Sequence, residues 1–397
     1  MRGAKTGRKR KACMLAYAHY ENDNRVKRVT SFLLEEGYDV DVLNLTDGCG
    51  EADDHPGLKI YKLQNRQPHE KRKIEYIIKI LSFFAVSTVK LSGLYVKKGY
   101  DVLHVHSMPD FLVFACVLPK LFGAKVILDI HDMTPDFYCQ KFDVHHSSLM
   151  IKILKFFQKV SISFADHVIV ANHLWKDDLV ALGFDPSKFT VILNTPDVSI
   201  FKPKGKDLKA IKNSCELIYH GYFSKLHGIN VAINAVAILK KDIPHVIFDI
   251  YGDGHEKNNL LNLITDLNLE ENVHLHHTLS MLKVKDKIMH ADIGIVPKRP
   301  GIFSSKAFST KILEYFAIGI PVIASKTLID EFYFDTTNIV FFEPDNSADL
   351  AGKIKTLHAN PKQKESLVEN AFHFLEAHSW GFYKNEYLSV IEKQKNV

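Results

Sequence analysis

Residues 308–323 read FSTKILEYFAIGIPVI, and the fold and function turn on this stretch. Ser309 stands where a helix N-cap would, Gly319 where that helix would stop, and Pro321 opens an apolar run that reads as a buried strand. A helix whose first turn carries Ser309, Thr310 and Lys311 offers backbone N–H groups, two hydroxyls and an ammonium to one anion. Lys311 and Glu314 lie three residues apart on one helix face. A diphosphate at the helix start would leave Glu314 one turn deeper, placed to accept hydrogen bonds from a ribose diol. The competing reading is a surface ion pair between Lys311 and Glu314. The cap-to-stop spacing followed by a buried strand favours the functional one.

Working outward, strand and helix patterns alternate almost throughout, which predicts parallel sheets with helices on both faces. Strands are expected at 13–18, 39–45, 101–106, 125–130, 167–171 and 190–193, with helices over 25–36 and 111–122. Residues 202–215, KPKGKDLKAIKNSC, read as a linker. The alternation restarts with strands at 217–220, 245–251, 273–276, 293–297, 321–324 and 339–342. The fold class is therefore α/β with two doubly wound Rossmann-like domains facing a central cleft, a natural ligand site. The expected divisions are a basic disordered arm at 1–11, a first domain at 12–204, a second at 205–377 and a final helix at 378–397.

With 397 residues the chain is long enough for two domains. Lys plus Arg is 51 against 46 Asp plus Glu, but residues 1–11 alone hold six positives and no acid. The basic excess thus belongs to one arm, which argues against a body shaped to neutralise nucleic-acid phosphates. Five cysteines without a CxxC pair fit a reducing compartment, exclude a disulfide scaffold and point to the cytoplasm. No transmembrane helix is expected. The basic start and the short apolar run from Ala12 imitate a secretion signal, but a first buried strand is the better reading. Residues 70–98 are both basic and strongly apolar. They read either as a core helix with a solvated lysine face or as a helix that presses onto an anionic membrane.

Several residues have the right chemistry for a site. Gly252 and Gly254 end a strand and permit close backbone approach, but Lys257 occupies the third glycine position of a dinucleotide fingerprint, which weighs against an oxidoreductase. His131 follows a buried strand and is placed to meet a sugar hydroxyl, or else to bond Asp132. His106 is expected to line a pocket, while His104 packs. Arg25, in the Asn22–Arg25 loop, is a candidate phosphate contact. His274, His276 and His277 lack a carboxylate at suitable spacing and read as strand residues, so no metal site is expected. Asp39 and Asp41 form a DxD pattern, but inside a strand. No phosphate loop, serine elbow or zincin helix is present.

Residues 309–324 resemble the nucleotide-binding segment of family 4 glycosyltransferases, which have the two-domain GT-B fold. Further resemblance lies in YENDNRVKR (20–28), HSMPDFLVF (106–114), AKVILDIHDMTPDFY (124–138), ADHVIVAN (165–172), VILNTPDVSIF (191–201), YHGYFSKLHGINVAINAVAIL (219–239), FDIYGDGHEKNNL (248–260) and HSWGFYKNEYL (378–388). The resemblance implies a nucleotide diphosphate sugar donor held by the second domain, a glycan or lipid-linked acceptor held by the first, and a final helix that crosses back to the first domain. It also implies retention at the anomeric carbon and no required metal or other cofactor. His131, Lys225 and Lys311 are then the catalytic candidates. Gly221, His227, Gly252, Gly254, Lys306, Ser309, Thr310 and Glu314 would bind the donor, and Asn24, Arg25, His106 and Asp110 the acceptor. The family often has Glu where this chain has Lys306. That departure keeps open a catalytically degenerate protein that binds a nucleotide sugar or a partner subunit. An epimerase of the same fold would need cleft carboxylates that are not found.

Overall fold

The computed structural model describes residues 8–46, 55–65, 73–196, 200–203 and 214–392. The chain forms two compact units; one runs to Leu193 and resumes at Lys384, the other is Asn194–Tyr383.

The first unit contains β1 (Lys11–Ala16), α1 (Asn24–Glu35), β2 (Asp39–Thr46), β3 (Leu58–Asn65), α2 (Lys73–Lys98), β4 (Val102–His106), α3 (Val117–Leu121), β5 (Lys125–Ile130), α4 (Thr134–Phe142), α5 (Leu149–Phe164), β6 (His167–Val170), α6 (His173–Ala181) and β7 (Phe189–Val191). Its seven strands pair in parallel in the order β3-β2-β1-β4-β5-β6-β7. The central strands are buried almost without a break, as a sheet covered on both faces requires. Asp23 caps α1, its carboxylate accepting from the N–H groups of Arg25 and Val26, and Gly37 turns the chain afterwards at φ 82°.

The second unit contains β8 (Ser214–His220), α7 (Ile229–Leu239), β9 (His245–Tyr251), α8 (Lys257–Asp266), β10 (Val273–His276), α9 (Met281–Ile288), β11 (Ile293–Val296), α10 (Thr310–Ile318), β12 (Val322–Ser325), α11 (Leu328–Tyr333), β13 (Val340–Phe342), α12 (Ser347–His358) and α13 (Pro361–Ala377). Its six parallel strands run β10-β9-β8-β11-β12-β13. The order reverses between β8 and β11, and in the first unit between β1 and β4. At such points the loops leaving adjacent strands diverge and open a crevice at the carboxyl ends. The last helix, α14 (Trp380–Glu392), leads back to the first unit, where Tyr387 is fully buried and bonds His104.

Three expectations change. Residues 8–11 are not a free arm: Arg8 bonds the Gly99 carbonyl, Lys9 pairs with Asp39, Arg10 bonds the Tyr38 hydroxyl and Lys11 starts β1. Residues 1–7 lie outside the described residues. The proposed linker ends early, since Ser214 and Cys215 belong to β8 and Cys215 is fully buried; 204–213 lie outside the described residues. The third concerns α2. Ile77–Lys98 is long and apolar enough to cross a membrane by length and composition. Yet Ile80, Phe83, Ser87, Leu91 and Leu94, spaced three or four apart, are buried in the unit.

Candidate active site

In the second unit, α10 is anchored by its apolar residues. Ile312, Leu313, Tyr315 and Phe316 have no exposed surface. A Cβ on Gly294 of β11 would lie 2.4 Å from the Tyr315 ring, so this strand position must be glycine for the ring to lie flat on the sheet. Tyr315 in turn bonds His220 (3.2 Å) at the end of β8. Gly319 ends the helix at φ 87°.

The helix start differs from expectation in one respect. Ser309 occupies the N-cap position, but its side chain makes no capping bond. The first-turn N–H groups therefore carry no side-chain cap and open on a pocket of about 120 Å³. Its walls include Tyr219, His227, Lys298, Ser309, Thr310 and Lys311. Tyr219 lies in β8 and His227 follows it, while Lys298, Ser309, Thr310 and Lys311 follow β11, and the sheet order reverses between these two strands. Burial pushes the Lys311 ammonium below its ordinary pKa, and Lys298 pushes it the same way. The Lys311 ammonium lies 5.4 Å from the Tyr219 ring centroid. Lys298 is already paired with buried Asp330 (2.8 Å) and donates to the Ala307 carbonyl, so Lys311, the helix N-terminus and two hydroxyls are what the pocket offers an anion.

Glu314 is buried one turn deeper, and its Oε2 lies 2.5 Å from His220 Nε2. Burial alone would raise its pKa, but His220 and then Lys311 hold the carboxyl below its usual range. Glu314 is therefore a carboxylate, not the outer half of a surface pair. Gly221, at φ 135°, passes so close to Lys311 that a Cβ would lie 2.5 Å from its Cε.

The glycines at 252 and 254 serve a different purpose from the one expected. A Cβ at Gly252 would strike the Gly221 carbonyl oxygen at 1.9 Å, and one at Gly254 the Phe223 oxygen at 2.3 Å. What approaches these glycines is the protein's own 221–223 loop. His227 lines the pocket, and its Nδ1 lies 2.6 Å from the Tyr222 carbonyl. Burial pushes its pKa down to about 3, with Lys311 adding to the effect, so the ring is neutral. Lys225 is exposed in the turn before α7, and Lys306 lies in the turn before α10; neither lines the pocket. Lys298 and Tyr219 do line it, and sequence reasoning missed both. The one available signal was a lysine two residues past the end of a buried strand.

In the first unit, three candidates, Arg25, His106 and His131, fall around Asp129 together with His104. Arg25 is buried, bonds both Asp129 oxygens at 2.8 Å and donates to the Ile192 carbonyl. It is therefore spent inside the protein and is not a free acceptor contact, a correction to the sequence reading. His104 bonds Tyr387 (2.9 Å) and lies 3.3 Å from Asp129. His106 stacks on His104 at 4.2 Å and is also fully enclosed, so it does not line an open acceptor pocket as expected. His106 Nδ1 meets His131 Nε2 at 3.1 Å. Burial pushes His106 down to about 3. For His131 burial acts downward too, but Asp129 outweighs it and raises the pKa. His131 is partly exposed, and its backbone N–H donates to Ser107 Oγ. Asp110 is buried beside Thr134, and burial pushes its pKa up to about 7. Asn24 opens α1 and is partly exposed. Asp41, from the DxD pattern, bonds Lys98 and Tyr100 inside the fold.

Residues 24–199 match the family model described as Glycosyltransferase Family 4, and residues 203–374 the model described as Glycosyl transferases group 1. The chain is 25% identical over 266 residues to the O-antigen biosynthesis glycosyltransferase WclY of Escherichia coli, covering 62% of this chain and 66% of that one. It is 23% identical over 303 residues to a chitobiosyldiphosphodolichol beta-mannosyltransferase of Debaryomyces hansenii, covering 68% and 63%. The match thus spans just under two thirds of the length of these curated relatives. Among solved structures, sucrose-phosphate synthase from Thermosynechococcus elongatus superposes with a TM-score of 0.75 at 18% identity, over 96% of this chain and 98% of that one. Anabaena HepE in complex with UDP gives 0.71 at 16% identity, over 96% and 99%. With both halves matched and the fold shared along nearly its whole length, the chain belongs to the glycosyltransferases of the GT-B fold, its first half to family 4 and its second to group 1.

Proposed function

We propose that the second unit binds a nucleotide diphosphate sugar with its diphosphate at the start of α10, and that the sugar passes to a hydroxyl of a glycan or lipid-linked acceptor with retention and without a required metal. The observation that carries this reading is the α10 N-terminus, without a side-chain cap and facing a pocket that holds Lys298 and Lys311. There the N–H groups and the Lys311 ammonium meet the charge that develops on the departing diphosphate, which is electrostatic stabilisation of the transition state. Glu314, kept ionised by His220, accepts from the ribose hydroxyls. Ser309 and Thr310 contribute hydroxyl donors, and Gly221, Gly252 and Gly254 keep the neighbouring loops close. Lys225, exposed in the same turn as His227 but outside the pocket lining, reaches the diphosphate from the loop. His131 donates from its partly exposed ring to a sugar oxygen, and Asn24 and Asp110 contact the acceptor. The relatives named for O-antigen and diphosphodolichol chemistry support an acceptor of that class.

We further propose that the first unit meets an anionic membrane surface on the cytoplasmic side. Ile78, Leu81 and Val89 of α2, Leu121 and Phe122 at the end of α3, and Phe156 of α5 are more than half exposed. Phe84, Phe111, Phe157 and Phe156 form a chain of ring contacts from α2 to α5, which makes this one surface. Lys90, Lys97, Lys152, Lys155 and Lys159 are exposed on the same two helices, and α5 has no acidic residue. Apolar and basic side chains together suit the interface of an anionic bilayer. Cys13, Cys116 and Cys139 carry free thiols, in keeping with a reducing compartment.

The test is incubation with a panel of nucleotide sugars, with and without lipid-linked acceptors, followed for nucleoside diphosphate release. Release from one donor that rises with acceptor supports transfer. Tight donor binding without release from any donor contradicts it and leaves the degenerate reading.

A further inference from the structure

The histidines of β10 acquire in the fold what they lack along the chain. Asp249 on β9 and His274 on β10 are direct partners in the parallel ladder. His276 lies two residues further on, so all three side chains leave the same face of the sheet. They converge: His274 Nδ1 lies 3.1 Å and His276 Nε2 2.8 Å from Asp249 Oδ1. One ligand atom from each residue falls within 4.8 Å of the others. Two ligands bonded at about 2.1 Å and set at a right angle on one ion are about 3 Å apart, so the spacing already suits a common metal. The Tyr251 ring stacks on His276 at 4.4 Å and fixes its orientation. β10 is an edge strand, and the three side chains keep between 36% and 40% of their surface, so an ion has a path in and room to hold water.

The buried trio His104, His106 and Asp129 offers the same residue types but not the same chemistry. There Arg25 already holds both carboxylate oxygens, and all three side chains are buried.

We propose that Asp249, His274 and His276 bind one divalent cation of the borderline class, Zn²⁺ being the best match to two imidazoles and a carboxylate, with water in the remaining positions. In the metal-free chain each imidazole N–H donates to Asp249. Binding moves each ring proton to the other ring nitrogen and turns the two lone pairs and the carboxylate onto the ion, with no redox step. The site sits at the carboxyl end of β9 and β10, where the Gly252 N–H donates to the His276 carbonyl. It shares no residue with the pocket at α10, so it stands whether or not the proposed transfer reaction does.

The test uses the full chain, stripped with a chelator and titrated with Co²⁺ while its visible absorption is followed, with Zn²⁺ then added to displace it. The expected result is saturation at one equivalent and complete displacement by Zn²⁺. His276→Ala, His274→Ala and the near-isosteric Asp249→Asn should each weaken binding by about tenfold or more. His373→Ala, which removes an exposed histidine on α13, should leave it unchanged. Circular dichroism establishes that each variant is folded. Absence of saturable binding by the unaltered chain would overturn the proposal. So would binding that survives His276→Ala but is lost in His106→Gln, because the ion would then belong to the buried cluster.

Discussion

Arg25 and Asp129, 104 positions apart, face each other through two 2.8 Å bonds in the interior of the first unit. The arginine brings α1 against β5, and the carboxylate it neutralises is the same one that faces His104, His106 and His131. Breaking a buried pair by removing one partner leaves a charge without compensation, at a cost of about 3–5 kcal/mol. Arg25→Ala should therefore lower stability by that order. Arg25→Ala combined with Asp129→Ala should cost less than Arg25→Ala alone plus Asp129→Ala alone. Urea denaturation of the three variants measures this. Equal and additive losses would show that the pair is not coupled.

The buried histidines predict acid sensitivity. His104 and His106 have folded pKa values pushed below the unfolded value, mainly by burial. The unfolded chain therefore binds protons that the folded one does not, and stability falls as pH drops below about 6.5. Each such proton costs about 1.4 kcal/mol per pH unit. His131 acts in the opposite sense. Its raised pKa contributes stability that is complete below about 6.5 and fades as pH rises through the folded value. Asp129, held low by Arg25 and His131 against the effect of burial, contributes stability above about 3.9 that is lost as pH falls further. His106→Gln should flatten the stability profile between about pH 6 and 4 by roughly one proton. An unchanged slope would mean that His106 is not the buried neutral base described above.

Tyr315 and Gly294 predict a packing effect. Gly294→Ala drives a methyl group into the Tyr315 ring, which backs both His220 and the helix that carries Glu314. Overpacking of this kind costs about 1–3 kcal/mol. Nucleotide affinity should fall together with thermal stability. If Gly294→Ala proved as stable as the unaltered chain, the tight seating of α10 on β11 would be wrong.

The membrane surface predicts salt-sensitive vesicle binding. The protein should sediment with vesicles rich in anionic lipid and much less with zwitterionic ones, and raised salt should release part of it. Lys152→Glu with Lys155→Glu should weaken binding without loss of fold, because both side chains are exposed. Equal partition to both vesicle types would contradict the basic contribution.

Most of the fold could be read in the chain because parallel strands buried on both faces leave continuous apolar runs, as in 125–130 and 293–296. β3 escaped because LKIYKLQN is a half-buried edge strand with polar residues at every second or third place. The helix at 310–318 was legible from its stop glycine and the following proline. Lys298, Tyr219 and Asp249 were not, because their partners lie on neighbouring strands and local spacing carries no record of cross-strand register. Arg25 was misread for the same reason. A charged residue beside a loop looks available until the carboxylate that claims it is known.

The most direct test of the central claim is calorimetric titration of nucleoside diphosphates into the unaltered chain and into Lys311→Ala. One diphosphate should bind the unaltered chain saturably at one per chain. Loss of a charged hydrogen bond of about 1.5–3 kcal/mol should weaken it by tenfold or more in Lys311→Ala. Equal affinity in the two proteins would contradict a diphosphate seated at the start of α10.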